Sequence, residues 1–321
     1  MTVALIGGAG FIGTRLAKRL ENESTPFVIL DKVPSVVFPQ HSKHCDILSL
    51  DDLRTCLVGV TAIINLAAEH KDNVSPVSLY YDVNVTGSKN ICQIADELGI
   101  KKIIFTSSVA VYGFVEKETD ETGEHNPFNH YGISKLQAEK EYDSWVENDS
   151  DKSLVIVRPT VVFGENNRGN VYNLFRQIAS GKFLMIGSGN NKKSMAYVEN
   201  ISAFLQHALS FEKGHHVINY IDKPDYTMND LTTIICNAMG KKESNIRVPY
   251  VIGLLGGYGF DILSKLTGRE FPVSSIRIKK FCAITQFSSA NISQYGFVPP
   301  CKLSEGIAAT VKHEFLHNNT N

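Results

Sequence analysis

Apolar residues in the first half of the chain fall into short, nearly unbroken runs at 3–6, 27–30, 62–66, 103–106 and 154–157. A strand with one wet face alternates apolar and polar positions. Runs without alternation predict strands covered on both faces, as in a parallel sheet flanked by helices. Between the runs, apolar residues recur three and four apart over 11–22, 50–57, 80–98 and 131–147, which predicts helices. Strand and helix patterns in alternation predict βαβ units and an α/β fold built on a doubly wound parallel sheet. After Arg158-Pro159 the pattern loosens. Glycines at 164, 169, 181, 187 and 189 interrupt short helical patterns such as 171–179 and 198–209. We therefore expect a first domain over 1–165, its sheet completed by later segments, and a smaller, irregular C-terminal lobe over 166–321.

Composition narrows the function classes. Hydrophobic residues make up 43% and charged residues 20%, and the formal net charge is −1. That balance provides no basic field for nucleic acid. The six cysteines are scattered, with no Cys-x-x-Cys pair and no flanking histidine cluster, so neither a metal site nor a disulfide framework is readable. Free thiols and a cytoplasmic location are expected. With a buried-type strand already at 3–6, no leader is expected ahead of the fold. The most apolar stretch, 248–263, is interrupted by Gly253, Gly256, Gly257, Gly259 and Asp261. It falls short of the roughly 18 clean apolar residues that a membrane span demands.

Three motifs carry candidate chemistry. The first is Gly7-Gly8-Ala9-Gly10-Phe11-Ile12-Gly13, between the first strand and the first helix. Its glycines allow a tight turn, a close backbone approach to a pyrophosphate and tight helix–sheet packing, with the helix N-terminus facing the phosphates. Asp31, at the end of the second strand, would bind the adenosine ribose and repel a 2′-phosphate, so NAD is favoured over NADP. The fold is accordingly of Rossmann type. The second motif is Tyr131-x-x-x-Lys135, four apart on one helical face, where a nearby ammonium would favour the ionised phenol. The third is the hydroxyl cluster Thr106-Ser107-Ser108 at a strand's C-terminal end, where open α/β sheets bind ligands. Ser108 could share the substrate hydroxyl that Tyr131 deprotonates.

Together with Asn84 in Asn84-Val85-Thr86-Gly87, and Arg158-Pro159 followed by Phe163-Gly164, these motifs resemble the extended short-chain dehydrogenase/reductases along essentially the whole chain. The resemblance implies a catalytic triad of Ser108, Tyr131 and Lys135. It also implies NAD contacts from Gly7, Gly10, Phe11, Ile12, Gly13, Asp31, Lys32, Asp46, Ile47, Leu66, Ala67, Ala68, Asn84, Ser107 and Pro159, besides Tyr131 and Lys135. Members of this family commonly pair through two helices per subunit, here 80–98 and 131–147, which implies a homodimer.

Sugar dehydratases of the family place an Asp-Glu pair after the catalytic hydroxyl. This chain has Val109-Ala110, which offers no acid or base. An epimerase needs none: C4 is oxidised through NAD, the 4-keto sugar turns, and reduction from the other face leaves net redox at zero. Segments such as Ala67-Ala68-Glu69-His70, Asn167-Arg168-Gly169-Asn170 and Lys193-Ser194-Met195-Ala196-Tyr197 resemble bacterial 4-epimerases of O-antigen and lipopolysaccharide assembly. Those enzymes act on N-acetylhexosamine carried on undecaprenyl diphosphate. The resemblance implies substrate contacts from Glu69, His70, Ser108, Val109, Arg168, Asn170, Lys193 and Lys279.

An apolar segment over 248–266, followed by Arg269, Arg277, Lys279 and Lys280, is what a peripheral contact with the inner face of a bacterial inner membrane would use. The alternative makes that segment the lobe's own core, and the cations ligands for a soluble UDP-N-acetylhexosamine. A 4-keto-sugar reductase or sugar dehydrogenase would use the same triad, and loss of Tyr131 or Lys135 would be expected in a non-enzymatic NAD-binding protein.

Overall fold

The computed structural model describes residues 1–71, 74–181, 183–243, 246–269, 271 and 273–316, with the backbone alone for Lys280. In chain order the first half holds β1 (Val3–Ile6), α1 (Phe11–Asn22), β2 (Phe27–Asp31), β3 (Ser42–His44), α2 (Leu50–Cys56) and β4 (Ala62–Asn65). There follow α3 (Ser78–Tyr81), α4 (Gly87–Glu97), β5 (Lys102–Thr106), α5 (His130–Glu147) and β6 (Ser153–Pro159). The second half holds β7 (Val161–Phe163), α6 (Asn170–Ala179), β8 (Met185–Ile186), β9 (Lys192–Tyr197), α7 (Val198–His207), β10 (Gly214–Tyr220) and β11 (Asp222–Thr227). It ends with α8 (Met228–Met239), β12 (Arg247–Val248), α9 (Tyr250–Thr267), α10 (Ser275–Cys282) and α11 (Leu303–Phe315).

A seven-stranded sheet in the order β10-β6-β5-β4-β1-β2-β3 forms the scaffold, and every neighbouring pair in it is parallel. The order reverses beside β1, which is the switch point where α/β sheets take ligands. β1, β4 and β6 are buried along their whole length, as their unbroken apolar runs require. One apolar layer joins Leu16, Ala17 and Leu20 of α1 to Phe204 of α7 and Tyr220 of β10. The opposite layer joins Leu53, Ile91, Ile94, Tyr142 and Trp145. The C-terminal lobe has its own core, with Phe175, Met195, Ile235 and Ile307 among its members. Two small sheets support it, β11-β9-β7 and β12-β8.

Three elements depart from the sequence pattern. Edge strand β3 extends the sheet beyond the five expected strands, while β10 is a later segment of the kind expected to complete it. The single helix expected over 80–98 is interrupted by a wide π turn at Asp82–Thr86. The glycine-interrupted stretch near 250 is one continuous helix, α9. Glycine spares α9 a clash where it is pressed by its neighbours: a Cβ at Gly257 would lie 2.8 Å from Ser275 backbone, and one at Gly253 2.7 Å from the Ile186 side chain.

Candidate active site

The glycine turn after β1 is built for close approach. Gly7 has φ +73°, and a Cβ there would stand 2.6 Å from the Ala67 amide nitrogen. A Cβ at Gly13 would stand 2.5 Å from the backbone of Gly8, so only glycine lets α1 pack against its own turn. Gly10 caps α1 without any side-chain hydrogen bond to the first-turn amides, which leaves that end open to an anion. Asp31 closes the other side: one carboxylate oxygen accepts from the Ala9 amide at 3.1 Å, the other from the Val33 amide at 3.1 Å. Lys32 pairs with Asp46 at 3.0 Å. Ile47 is buried, and its carbonyl accepts from Asn90 at 3.0 Å. Leu66 and Ala67 follow β4, with the Ala67 amide held by Asn65 at 3.0 Å. This glycine-lined, carboxylate-ended cradle fits a dinucleotide without a 2′-phosphate.

Asn84 sits in the π turn and is buried. Its side-chain oxygen accepts from the Glu69 amide at 2.9 Å, and its nitrogen donates to the Glu69 carbonyl at 3.1 Å and to Ser134 at 2.9 Å. It thus clasps the loop after β4 to α5. The wide turn lets one side chain reach both, consistent with the frequent placement of π turns at sites.

Ser108 starts a short 3₁₀ turn after β5, and its hydroxyl accepts from the Ala110 amide at 3.1 Å. α5 begins alongside, capped by Asn129, whose side chain accepts from the Gly132 amide at 2.8 Å. Gly132 has no Cβ to strike the Ala110 carbonyl, which would be 2.6 Å away. That close approach places the Tyr131 phenol by Ser108, whose side chain favours its ionised form. Lys135, one helical turn on, donates to the Thr106 carbonyl at 2.8 Å and lies 4.7 Å from the Phe105 ring centroid.

The electrostatics differ from the sequence expectation. Burial holds the Tyr131 phenol above its ordinary value, opposed only by the Ser108 hydrogen bond. The Lys135 amine is turned to the Thr106 carbonyl in this arrangement. Burial also pushes the Lys135 ammonium down to about 7, while the charge of Glu139 works the other way.

Glu139 belongs to a buried network that the motifs did not reveal. It accepts from Ser107 at 2.5 Å and from both sides of the Arg158 guanidinium, at 2.9 and 2.7 Å. Arg158 also donates to Tyr112 at 2.6 Å, and Tyr112 donates to Asn219 at 2.8 Å. Burial alone would lower the Arg158 pKa; the hydrogen bond and charge of Glu139 outweigh it and raise the value. A buried carboxylate and guanidinium in bidentate contact satisfy each other's desolvation cost. The sequence signal was Glu139 standing one further turn along the Tyr131–Lys135 face of α5.

The expected substrate residues divide by position. Glu69 adjoins the site through Asn84, and its carboxylate accepts from the His70 amide at 3.1 Å, with the His70 ring exposed. Val109 follows Ser108 and packs with Val111, Tyr112 and Phe287. Lys193 donates to the Ala283 carbonyl at 2.6 Å, and burial pushes it down to about 8. Lys279 lies 5.5 Å from the Tyr258 ring centroid and, with Tyr250, Asn191 and Cys282, lines a 370 Å³ cavity. The stretch after that cavity runs back to the short turn that follows Ser108: Thr285 bridges to Lys193, Phe287 bridges to Thr119, and the Phe287 ring lies 5.7 Å from Tyr112. Arg168 is engaged elsewhere. It pairs with buried Glu314 of α11 at 2.6 Å and stacks 4.5 Å over Tyr172, while Asn170 opens α6 at an exposed position. These contacts tie Arg168 to α11 and α6 of the lobe. Pro159, at the end of β6, is buried in the sheet.

Residues 3–220 match the model of the NAD dependent epimerase/dehydratase family. The chain is 50% identical over 319 residues to N-acetyl-alpha-D-glucosaminyl-diphospho-ditrans,octacis-undecaprenol 4-epimerase of Escherichia coli O157:H7, covering 98% of this chain and 96% of that protein. It is 27% identical to UDP-glucose 4-epimerase of Vibrio cholerae, over 99% and 97% of the two chains. Its fold superimposes on UDP-glucuronic acid 4-epimerase of Bacillus cereus, solved in complex with NAD, with a TM-score of 0.75 at 19% identity over 98% of both chains. The chain belongs to the NAD-dependent epimerase/dehydratase family.

Proposed function

We propose that this chain is a 4-epimerase that converts N-acetylglucosamine to N-acetylgalactosamine on undecaprenyl diphosphate, supplying lipopolysaccharide O-antigen assembly at the inner face of the inner membrane. The observation that carries this reading is the 50% identity, end to end, with the undecaprenol-linked 4-epimerase of Escherichia coli O157:H7. The site is compatible with it. Tyr131 would take the proton from the sugar O4 and return it. Ser108, beside Tyr131, would hold O4 at the phenol. Val109 and Ala110 supply no second acid or base, which suits epimerisation and not loss of water. NAD, when bound in the glycine cradle, supplies the reversible oxidation of C4. Lys193 and Lys279 would face the diphosphate. A second protomer would pack on the outer side of α4 and α5.

The test offers purified protein UDP-N-acetylglucosamine and N-acetylglucosaminyl-diphospho-undecaprenol separately, followed by analysis of the released sugars. N-acetylgalactosamine should form far faster from the lipid-linked substrate, with no net NADH. Equal efficiency on both would overturn the carrier and leave a UDP-sugar 4-epimerase. Stoichiometric NADH would instead mark a net oxidoreductase.

A further inference from the structure

We infer that the outward face of α9 is a docking surface for an anionic bilayer, on which the enzyme lies while its lipid-linked substrate reaches the site. The inference deepens the carrier reading and rests on it for its purpose. Among the described residues no helix is long and apolar enough to cross a membrane, so the contact is with the surface.

The observation is the unusual exposure of α9. Its packed side is narrow: Gly253 meets Ile186, Gly257 meets Ser275 and Ile278, and Asp261 accepts from the Ser275 amide at 3.3 Å. The opposite side presents Val251, Ile252, Leu255, Ile262 and Leu266, each more than 60% exposed. These positions recur at helical spacing and form one apolar stripe, far beyond the scattered exposed leucine that any surface carries. They are not the lobe's core, which lies around Phe175 and Ile307.

Charge selects the occupant. Asp261, the one acidic residue of α9, is turned inward to Ser275. Lys265 on α9 and Arg269, Arg277 and Lys279 just after it are all exposed, with Arg277 donating to the Phe271 carbonyl at 3.0 Å. A second copy docked on the same face would bring two cationic rims together, because an isologous contact uses the same patch on both copies. An anionic headgroup layer complements the rim, and its acyl boundary accepts the stripe. The rim also reaches a recess beside the stripe: Tyr250 at the start of α9 and Lys279 both line the 370 Å³ cavity.

The test reads binding of the full-length protein to vesicles without any sugar substrate, so its failure is distinct from failure of the carrier reading. Wild type should co-sediment with phosphatidylethanolamine–phosphatidylglycerol vesicles, less so as salt rises, and poorly with phosphatidylcholine alone. Leu255→Glu with Ile262→Glu should weaken vesicle binding by about tenfold or more while NAD binding persists, since the stripe loses its apolar centre. Turnover of vesicle-borne substrate should fall in parallel, and turnover of a short-chain, water-dispersed analogue should not. Should the double variant fail to fold, Leu255→Trp keeps the face apolar. Its fluorescence should shift to the blue and be quenched by brominated phospholipid, against the single buried native Trp145. Vesicle binding unchanged by the charged substitutions, or an unquenched Trp at 255, would overturn the proposal. So would a loss of self-association, read by light scattering, in place of a loss of vesicle binding.

Discussion

The protonation of Lys135 is decided by two opposing effects on one buried amine. Burial drives it toward the neutral form, down to about 7, and Glu139 partly restores the charge. Removing that carboxylate in Glu139→Gln leaves burial unopposed, so the ammonium should be lost at lower pH still. If the reaction needs Lys135 charged, the alkaline limb of the kcat/KM profile should move toward acid in the variant. An unmoved limb would separate Glu139 from Lys135. The same substitution strands Arg158, and breaking a buried pair costs about 3–5 kcal/mol. Pairing it with Arg158→Met should recover much of the stability without restoring the limb, which a purely structural role could not explain. The linkage has a definite sign. The folded state holds fewer protons on Lys135 than the unfolded chain between about 7 and the ordinary lysine value of 10.5, so this group makes stability rise with pH across that window. At the scale of single residues the glycine turn and the Tyr131–Lys135 pair were legible because one turn and one helical face fix their spacing, and Asp31 and Ser108 because each stands at the C-terminal end of a strand. Glu139, Ser107 and Arg158 were not read as partners. They meet across 32 and 19 residues of chain, through sheet topology that no local period encodes.

Elements owe their placement to what glycine omits. Gly13 and Gly10 belong to one motif yet should respond differently to an added methyl. At Gly13 the new Cβ would fall 2.5 Å from the Gly8 backbone, which cannot yield without moving α1 off the sheet. At Gly10 the nearest such atom is the Gly7 carbonyl, at 3.3 Å, and φ is −74°, open to any residue. Gly13→Ala should therefore lose about 1–3 kcal/mol on denaturant unfolding and bind NAD poorly. Gly10→Ala should stay within a few tenths of the wild-type stability, yet still weaken NAD, because its methyl would point into the cradle. Equal stability losses would refute the packing argument. The helix expected over 80–98 was legible in kind but not in detail, since its π turn is set by Asn84 reaching Glu69 and Ser134, not by periodicity. For α9 the glycines suggested interruption. The structure puts Gly253 and Gly257 where close packing needs them, and the exposed Gly256 and Gly259 meet nothing within 4 Å.

At the scale of the whole molecule, the division at residue 165 is a statement about chain order more than about folding. β10 pairs with β6 through all seven of its residues, although 54 positions separate Pro159 and Gly214 along the chain. α7 covers the face of the sheet on which α1 lies, and the same apolar layer holds Leu16, Leu20, Phe204, Leu205, Ile218 and Tyr220. The run at 154–157 revealed β6 as buried on both faces. Nothing in the run could show which later strand would lie beside it, because parallel strands pair across long crossovers. A fragment of residues 1–165 would leave β6 as a long, bare, apolar edge and open the α1 side of the sheet to water. It should aggregate, or stay expanded with weak NAD binding and no cooperative unfolding transition. Adding residues 166–227 back in trans, which brings α7 and β10, should recover some NAD binding if the missing surface is the cause. A 1–165 fragment that unfolds cooperatively by calorimetry and binds NAD like the full chain would show that the dinucleotide half is a self-sufficient domain. The shared layer around Phe204 and Tyr220 would then be an interface between two folded units, and not one core.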